Sequence, residues 1–308
     1  MTNNRREVPD RGTSRILKCK SMLVMWKKLW GVFCCWGMVT GGMAQDVVPV
    51  RALSSPEIIN PAYYNRETGV SAALWYRHQW GKLEESPQYM GFSLHKLWTP
   101  GKWGTGVNGG YSKSGYRKDY QFGLTGDRGF ALSENSRLSL GLTAGMQLVR
   151  YDWPENLGSA KPEDFNKEWF YVAGGVAWNY RELSLGAGYR GVCRDGGDGM
   201  YSRISLYGEY RIGMGSRWDI LPRALYVYDS DWDSDLDLGV FAYYRNMAGI
   251  GLIWRKEQAI GVQGEMRLLD CLAVTYCYEP STGTDANVFG ASHEVSLKFN
   301  SGGLYRKK

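Results

Sequence analysis

From about Val70 to Phe299 the chain repeats short runs in which every second residue is apolar or aromatic and the residues between are Gly, Ser or charged. In the clearest run, Leu138, Leu140, Leu142, Ala144, Met146 and Leu148 share one parity, and Ser139, Gly141, Thr143, Gly145 and Gln147 share the other. A period of two is that of a β-strand, whose successive side chains point to opposite faces. The same parity recurs in Leu183, Leu185, Ala187 and Tyr189, and again in Val262, Gly264, Met266 and Leu268. No helical stripe of that quality follows residue 45. The pattern predicts about 14 strands, near residues 70-80, 88-97, 103-113, 117-127, 136-150, 168-180, 182-190, 200-211, 217-228, 235-245, 247-255, 258-268, 271-279 and 290-299. Counts of 12 or 16 are the alternatives, because Gly clusters between 99 and 116 and Pro222 blur the parity.

A second feature decides what kind of sheet this is. Trp26 to Gln45 carries the Lys27-Lys28 pair, an uncharged apolar stretch and a small-residue exit at Gly42-Met43-Ala44, the layout of a secretory signal cleaved after Ala44. The strongly apolar part is about ten residues, short of the roughly 20 that a spanning helix needs. Residues 1–44 are therefore expected to be a signal with a polar N-terminal extension, Met22 or Met25 being alternative starts. An exported chain of alternating strands is expected to be all-β, a transmembrane antiparallel β-barrel over residues 69–299. Mean hydropathy is that of a soluble protein, as it must be when lipid-facing and lumen-facing residues alternate. Glycine, 40 of 308 residues, and aromatics at 14 % suit closely paired backbones and interfacial girdles.

An even strand count returns both termini to one side. Residues 45–68, with Pro49, Pro56 and Pro61 and no alternation, are expected to be a periplasmic lead-in of extended coil, and residues 300–308 a polar tail. Short turns at Asn246-Met247 and Leu269-Asp270 and longer loops at 152–167 and 279–289 are expected on opposite rims.

The formal charge of +6 suggests a basic protein until it is divided. Residues 1–45 hold eight Lys or Arg against Glu7 and Asp10, which leaves 29 basic and 29 acidic residues in the remainder. Nucleic-acid binding loses its compositional support with that balance. Cys193, Cys271 and Cys277 have none of the paired spacings of a zinc site or disulfide scaffold and read as packing residues. Cys34 and Cys35 follow Val32-Phe33, which is too bulky for a lipoprotein signal.

Three histidines, His78, His95 and His293, limit acid–base chemistry. Ser93 and His95 are two apart on one strand, a spacing that a lipid esterase uses, but no third group to orient the imidazole is identifiable. Ser292-His293-Glu294 is no triad, because neighbours on a strand face opposite ways. Asp229 to Asp237 places carboxylates at alternate positions and opens like a calcium loop, then fails at Ser234 and Val240, where such a loop needs Gly and Glu. A solvated acidic loop is the plainer reading. No catalytic, cofactor-binding or metal residue is predicted, and no cofactor.

Ile59-Asn60-Pro61-Ala62-Tyr63, followed by a strand ending Tyr76-Arg77-His78-Gln79-Trp80, resembles the start of the PorP/SprF family of Bacteroidetes outer-membrane proteins. Ser93-Leu94-His95 and the closing Gly290 to Leu297 are also similar to that family. Residues 47–57 depart from its pattern, lacking a Gln- and Tyr-containing stretch. The resemblance implies a non-enzymatic outer-membrane component of the type IX secretion system and gliding machinery. Its implied partners are the periplasmic ring of a lipoprotein and its partner protein, secreted cargo or an adhesin, and outer-membrane lipid. The matching positions, of unknown role, are Asn60, Pro61, Ala62, Tyr63, Tyr76, Arg77, Gln79, Trp80, His95, Ser292, His293 and Glu294. Asn60-Pro61 is expected to form a rigid turn ahead of the first strand. Arg77 and Gln79 are expected to face the lumen and Leu74, Tyr76 and Trp80 the lipid. A general diffusion porin and a lipid-modifying enzyme are the competing readings.

Overall fold

Alternating side chains become a single closed sheet. The computed structural model describes residues 49–66, 69–99, 103–153, 166–193, 200–231, 234–256, 259–281 and 286–303. The predicted export signal and residues 304–308 of the predicted tail lie outside them. The strands are β1 (Val70–His78), β2 (Gln88–Thr99), β3 (Trp103–Ser114), β4 (Arg117–Ser133), β5 (Ser136–Tyr151), β6 (Lys167–Tyr180), β7 (Leu183–Cys193) and β8 (Met200–Tyr210). They continue as β9 (Ile212–Met214), β10 (Trp218–Asp229), β11 (Asp235–Tyr244), β12 (Ala248–Arg255), β13 (Ala259–Leu269), β14 (Leu272–Glu279) and β15 (Ser292–Asn300). Both β8 and β9 pair with β10, at successive positions, so they form one stave interrupted at Arg211. Every neighbour is antiparallel, and β15 returns to pair with β1 from Ser71↔Asn300 to His78↔His293. The result is a closed barrel of 14 staves, the architecture that the period of two predicts.

The barrel is inverted relative to a soluble one. On β5 the polar parity is the buried one, with Ser139, Thr143 and Gln147 enclosed, while Leu140, Leu142 and Met146 lie outside. That exterior continues in Leu74, Phe92, Phe122, Val172, Leu206, Leu252 and Val262, a lipid-facing apolar band. Connections at 134–135, 181–182, 215–217, 245–247 and 270–271 are two or three residues long and share a rim with both ends of the sheet. The opposite rim has 79–87, 152–166, 194–199 and 280–291. Bacterial barrels keep short turns and termini in the periplasm, which orients the molecule.

Turn positions shift slightly from expectation. Arg245 and Asn246 both have positive φ (49° and 53°), and the Met247 amide donates to the Tyr244 carbonyl at 2.9 Å. That geometry is a type I′ turn centred one residue before Asn246-Met247. The β13–β14 connection is likewise Asp270-Cys271.

The largest departure concerns the Pro-punctuated segment. Where it is described, it is not extended coil: 3-10 turns run over Val50–Leu53, Pro56–Ile58 and Pro61–Arg66. Pro49 precedes the first, and Pro56 and Pro61 begin the others, positions where proline's fixed φ helps and its missing N–H costs nothing. Val50, Ala52, Leu53, Ala62 and Tyr63 are buried inside the barrel against Tyr207, Leu225, Phe241 and Ile253. Such short turns have no strand or helix period, so patterning could not distinguish a lumenal segment from a linker.

Candidate functional site

The segment from Val50 to Tyr64 crosses the lumen and is held at three places by different chemistry. On one side the wall has been cut back. Gly141, Gly175 and Gly188 are register partners across β5, β6 and β7, so they form a row with no side chains. A Cβ on Gly141 would overlap the Ala62 backbone, and one on Gly175 would overlap the Asn60 side-chain oxygen. At Gly186 it would come within 2.5 Å of the Tyr63 ring. Close backbone approach is therefore what these glycines provide.

Asn60 uses that space. Its Nδ2 donates to the carbonyls of Val176 (3.1 Å) and Ala187 (3.0 Å), which are partners on β6 and β7. Its Oδ1 accepts from the Ala62 amide at 3.0 Å, closing a local turn that begins at Pro61. One side chain thus satisfies the plug's own backbone and ties it to two strands. Tyr63 packs edge-on to Tyr207 at 5.3 Å, and the Tyr207 hydroxyl donates to the Leu53 carbonyl at 3.1 Å.

On the other side the attachment is ionic. Glu294 accepts the amides of Val50 (3.1 Å) and Arg51 (3.2 Å), two donors that open the first turn. Arg77, its direct partner across the β1–β15 seam, lies 3.3 Å from the same carboxylate and 2.5 Å from Glu279. Arg255 then joins Glu279 (3.5 Å) to Asp237 (2.9 Å). The chain is alternating in sign and buried throughout, which is the condition under which charges are tolerated inside a protein. The Arg51 guanidinium caps Trp75 at 4.4 Å. Nearer the periplasmic rim, Lys298 pairs with Glu57 at 3.3 Å.

A third contact sits beside the plug's exit. Tyr64 stacks on His95, with centroids 4.9 Å apart and planes inclined by 16°, and His95 Nε2 lies 2.5 Å from Asp127. Asp127 is the orienting group that spacing alone does not reveal. Gly104 makes room for the pair, since a Cβ there would be 2.5 Å from the imidazole. Ser93 and His95 do face the same way, but Nδ1 has no hydrogen-bonding partner among the described residues. The imidazole acts as a platform for Tyr64.

Of the remaining motif positions, Gln79 is fully enclosed, and its side-chain amide has no partner among the described residues. Its backbone amide donates to the Pro87 carbonyl. Ser292 and Glu294 face inward, while His293 faces out and meets the Tyr276 hydroxyl at 2.7 Å. Leu74 and Tyr76 face lipid as expected. Trp80 does not continue that face: β1 ends at His78, and Trp80, at φ 55°, packs on Phe289 while its amide donates to Ser292. In the acidic stretch, Asp229 accepts from Arg203 at 3.1 Å and Asp237 from Arg255. Residues 232–233 lie outside the described residues, among which no group of three metal-ligating side chains occurs. Cys193, Cys271 and Cys277 carry free thiols.

The plug divides the interior. A cavity of about 710 Å³ opens on the short-turn side, walled by Glu57, Arg137, Arg223, Glu265 and Lys298. A smaller one of about 180 Å³, with Tyr64, Trp75, Asn108, Tyr171 and Arg190 in its wall, lies on the long-loop side. Asn60, Ala62, Tyr63, Arg77, His95 and Glu294 are therefore brought together by the plug and its attachments, whereas Tyr76, Trp80 and His293 lie apart from it. The signal for the missed part was glycine at inward parity on three consecutive strands.

A family model described as type IX secretion system membrane protein PorP/SprF matches residues 44–299. No curated protein matches the chain at a significant level. Among solved structures, the chain is similar to the Acinetobacter baumannii outer membrane protein Omp33, at 9 % identity and a TM-score of 0.48, covering 76 % of this chain and 98 % of that one. It is also similar to the P. putida toluene transporter TodX, at 11 % identity and a TM-score of 0.47, covering 79 % of this chain and 93 % of that one.

Proposed function

The chain belongs to the PorP/SprF family of type IX secretion system membrane proteins, and from that membership we propose that it is a plugged, non-enzymatic outer-membrane anchor for the secretion machinery. In this reading it couples the periplasmic ring, a lipoprotein and its partner protein, to secreted or surface-attached cargo, and it serves gliding where the machinery does.

The observation that carries the reading is the plug. A diffusion porin needs a continuous aqueous lumen. Here Val50 to Tyr64 occupy it, with hydrogen bonds to β6, β7, β8 and β15. With the pore obstructed, the rims and the polar periplasmic vestibule are the surfaces that other proteins reach. An anchor uses those surfaces; a pore does not.

Three measurements test this. A strain lacking the protein should lose cargo secretion with its envelope intact, and purification of the tagged barrel from its own membrane should bring ring components with it. Unchanged secretion in a strain with no paralogue overturns the proposal. Planar-bilayer recordings of the intact protein should show no large stable conductance, and deletion of residues 50–64 should create one. A large conductance from the intact protein would favour the porin instead.

A further inference from the structure

The lipid-facing positions of the strands carry five cations among the described residues: Lys96, Lys113, Lys118, Arg128 and Arg150. Toward the long-loop rim each has a carboxylate. Lys113 pairs with Glu85 at 2.7 Å, Lys118 with Asp152, and Arg150 with Glu168 at 3.6 Å. Lys96, near the periplasmic end of β2, and Arg128, on β4 opposite the first residue of β3, are exposed and have no acidic partner among the described residues. Lys96 Nζ instead lies 4.0 Å from the Trp98 ring, and the Arg128 guanidinium lies 5.2 Å from Phe130.

These groups form one patch. Lys96 is in register with Thr105 on β3, Thr105 with Gly126 on β4, and Trp103 with Arg128. Trp98 and Trp103 stack between the cations at 5.4 Å and 17°, and the Trp98 indole N–H is fixed by Thr105 Oγ1 at 2.8 Å. Strand and residue spacings put the two cationic Cα atoms roughly 12 Å apart, within reach of one anion for two such long side chains. The surface beside Gly126 is open, since a Cβ there would meet nothing within 4 Å.

A cation on the lipid face is costly at the bilayer midplane and nearly free at the interface, where headgroup phosphates lie. Indoles prefer the same level. We propose that Lys96 and Arg128, framed by Trp98 and Trp103, bind the phosphate of an anionic phospholipid in the periplasmic leaflet. The two fixed positive charges repel the ammonium of a zwitterionic headgroup, so the site selects net negative lipids. The inference stands independently of the role in secretion.

Native mass spectrometry of the purified barrel with phosphatidylglycerol or phosphatidylcholine tests it. The intact protein should retain phosphatidylglycerol preferentially. His95 and Asp127 occupy the opposite face at the neighbouring positions, so Lys96→Gln with Arg128→Gln changes the lipid face and leaves the Tyr64 platform in place. That double variant should bind phosphatidylglycerol about 25-fold more weakly, a factor of about five for each basic residue near an anionic surface. Lys96→Arg with Arg128→Lys should keep the preference, and Lys113→Ala should not change it. Heat-modifiable gel mobility verifies that each variant is a folded barrel. Equal retention of phosphatidylglycerol by the intact protein and a folded double Gln variant, or no preference in the intact protein, overturns the proposal.

Discussion

Two of the plug's attachments solve one problem in opposite ways. At β5–β7 the wall gives up its side chains, and Asn60 meets bare backbone across Gly141, Gly175 and Gly188. At β15 and β1 the wall supplies a full charge, and Glu294 gathers two plug amides and Arg77. The first recognises shape, so one methyl group is enough to disturb it. The second recognises charge, so volume matters less than ionisation. Because Glu294 and Arg77 also face each other across the closing seam of the barrel, plug retention and barrel closure share residues at this end only.

The largest effect is expected at the ionic end. Glu294→Ala leaves Arg77 buried with one carboxylate fewer and orphans two amides, a loss of about 3–5 kcal/mol by analogy with other broken buried pairs. The midpoint of heat-modifiable gel migration should fall and bilayer conductance should appear. Glu294→Gln sharpens the comparison, since it keeps size and removes charge. If it behaves like the intact protein, the latch recognises shape after all. At the seat the expectations reverse. Gly175→Ala should cost about 1–3 kcal/mol through overpacking against Asn60, whereas Gly264→Ala, where a Cβ meets nothing within 4 Å, should leave conductance unchanged. Equal responses at the two glycines would remove the close-approach argument.

The wall was legible and the seat was not, for a physical reason. Alternation reports which face each residue takes, and together with the predicted export signal it makes the apolar parity of Leu138 to Leu148 or Ile250 to Trp254 a lipid-facing stripe. It does not report what fills the interior. Glycine at 141, 175 and 188 reads as general sheet composition until the register aligns the three. Asn60, Arg77, His95 and Glu294 stood out by resemblance, yet their common purpose depends on contacts between residues distant in the chain, 116 positions for Asn60 with Val176 and 243 for Arg51 with Glu294. Asp127, the partner of His95, lies two strands away and has no local signal. Trp80 left its predicted face because the strand ends before it, and strand ends are the least determined part of a periodic pattern.

Asn60 separates the two kinds of recognition at a single side chain, and its effect should be smaller than either change to the wall. Asn60→Ala removes three neutral hydrogen bonds, to the carbonyls of Val176 and Ala187 and from the Ala62 amide, worth about 2 kcal/mol together. Asn60→Asp keeps the acceptor for Ala62 but sets a carboxylate against two carbonyl oxygens. Recognition through the donated hydrogen bonds as well as shape predicts that Asp, although nearly isosteric, is the worse replacement, because it fills the seat and cannot donate. Bilayer conductance should rank intact protein, Ala and Asp in increasing order. An Asp variant as closed as the intact protein would mean that the row of glycines alone holds the segment.

Tyr64 offers the finest discrimination. Its contact with His95 is face-to-face stacking in which the imidazole is held by Asp127. Tyr64→Leu removes that aromatic pairing, about 0.5–1.5 kcal/mol, which should be seen as a small drop in the gel-migration midpoint with conductance still absent. Gly104→Ala approaches the same contact from behind by crowding His95, and it should act through Tyr64. Once Tyr64 is Leu, the added methyl should cost measurably less than it does in the intact protein. If the two changes instead add, the His95–Asp127 pair supports the β2–β4 wall and not the plug, and the plug has two attachments in place of three.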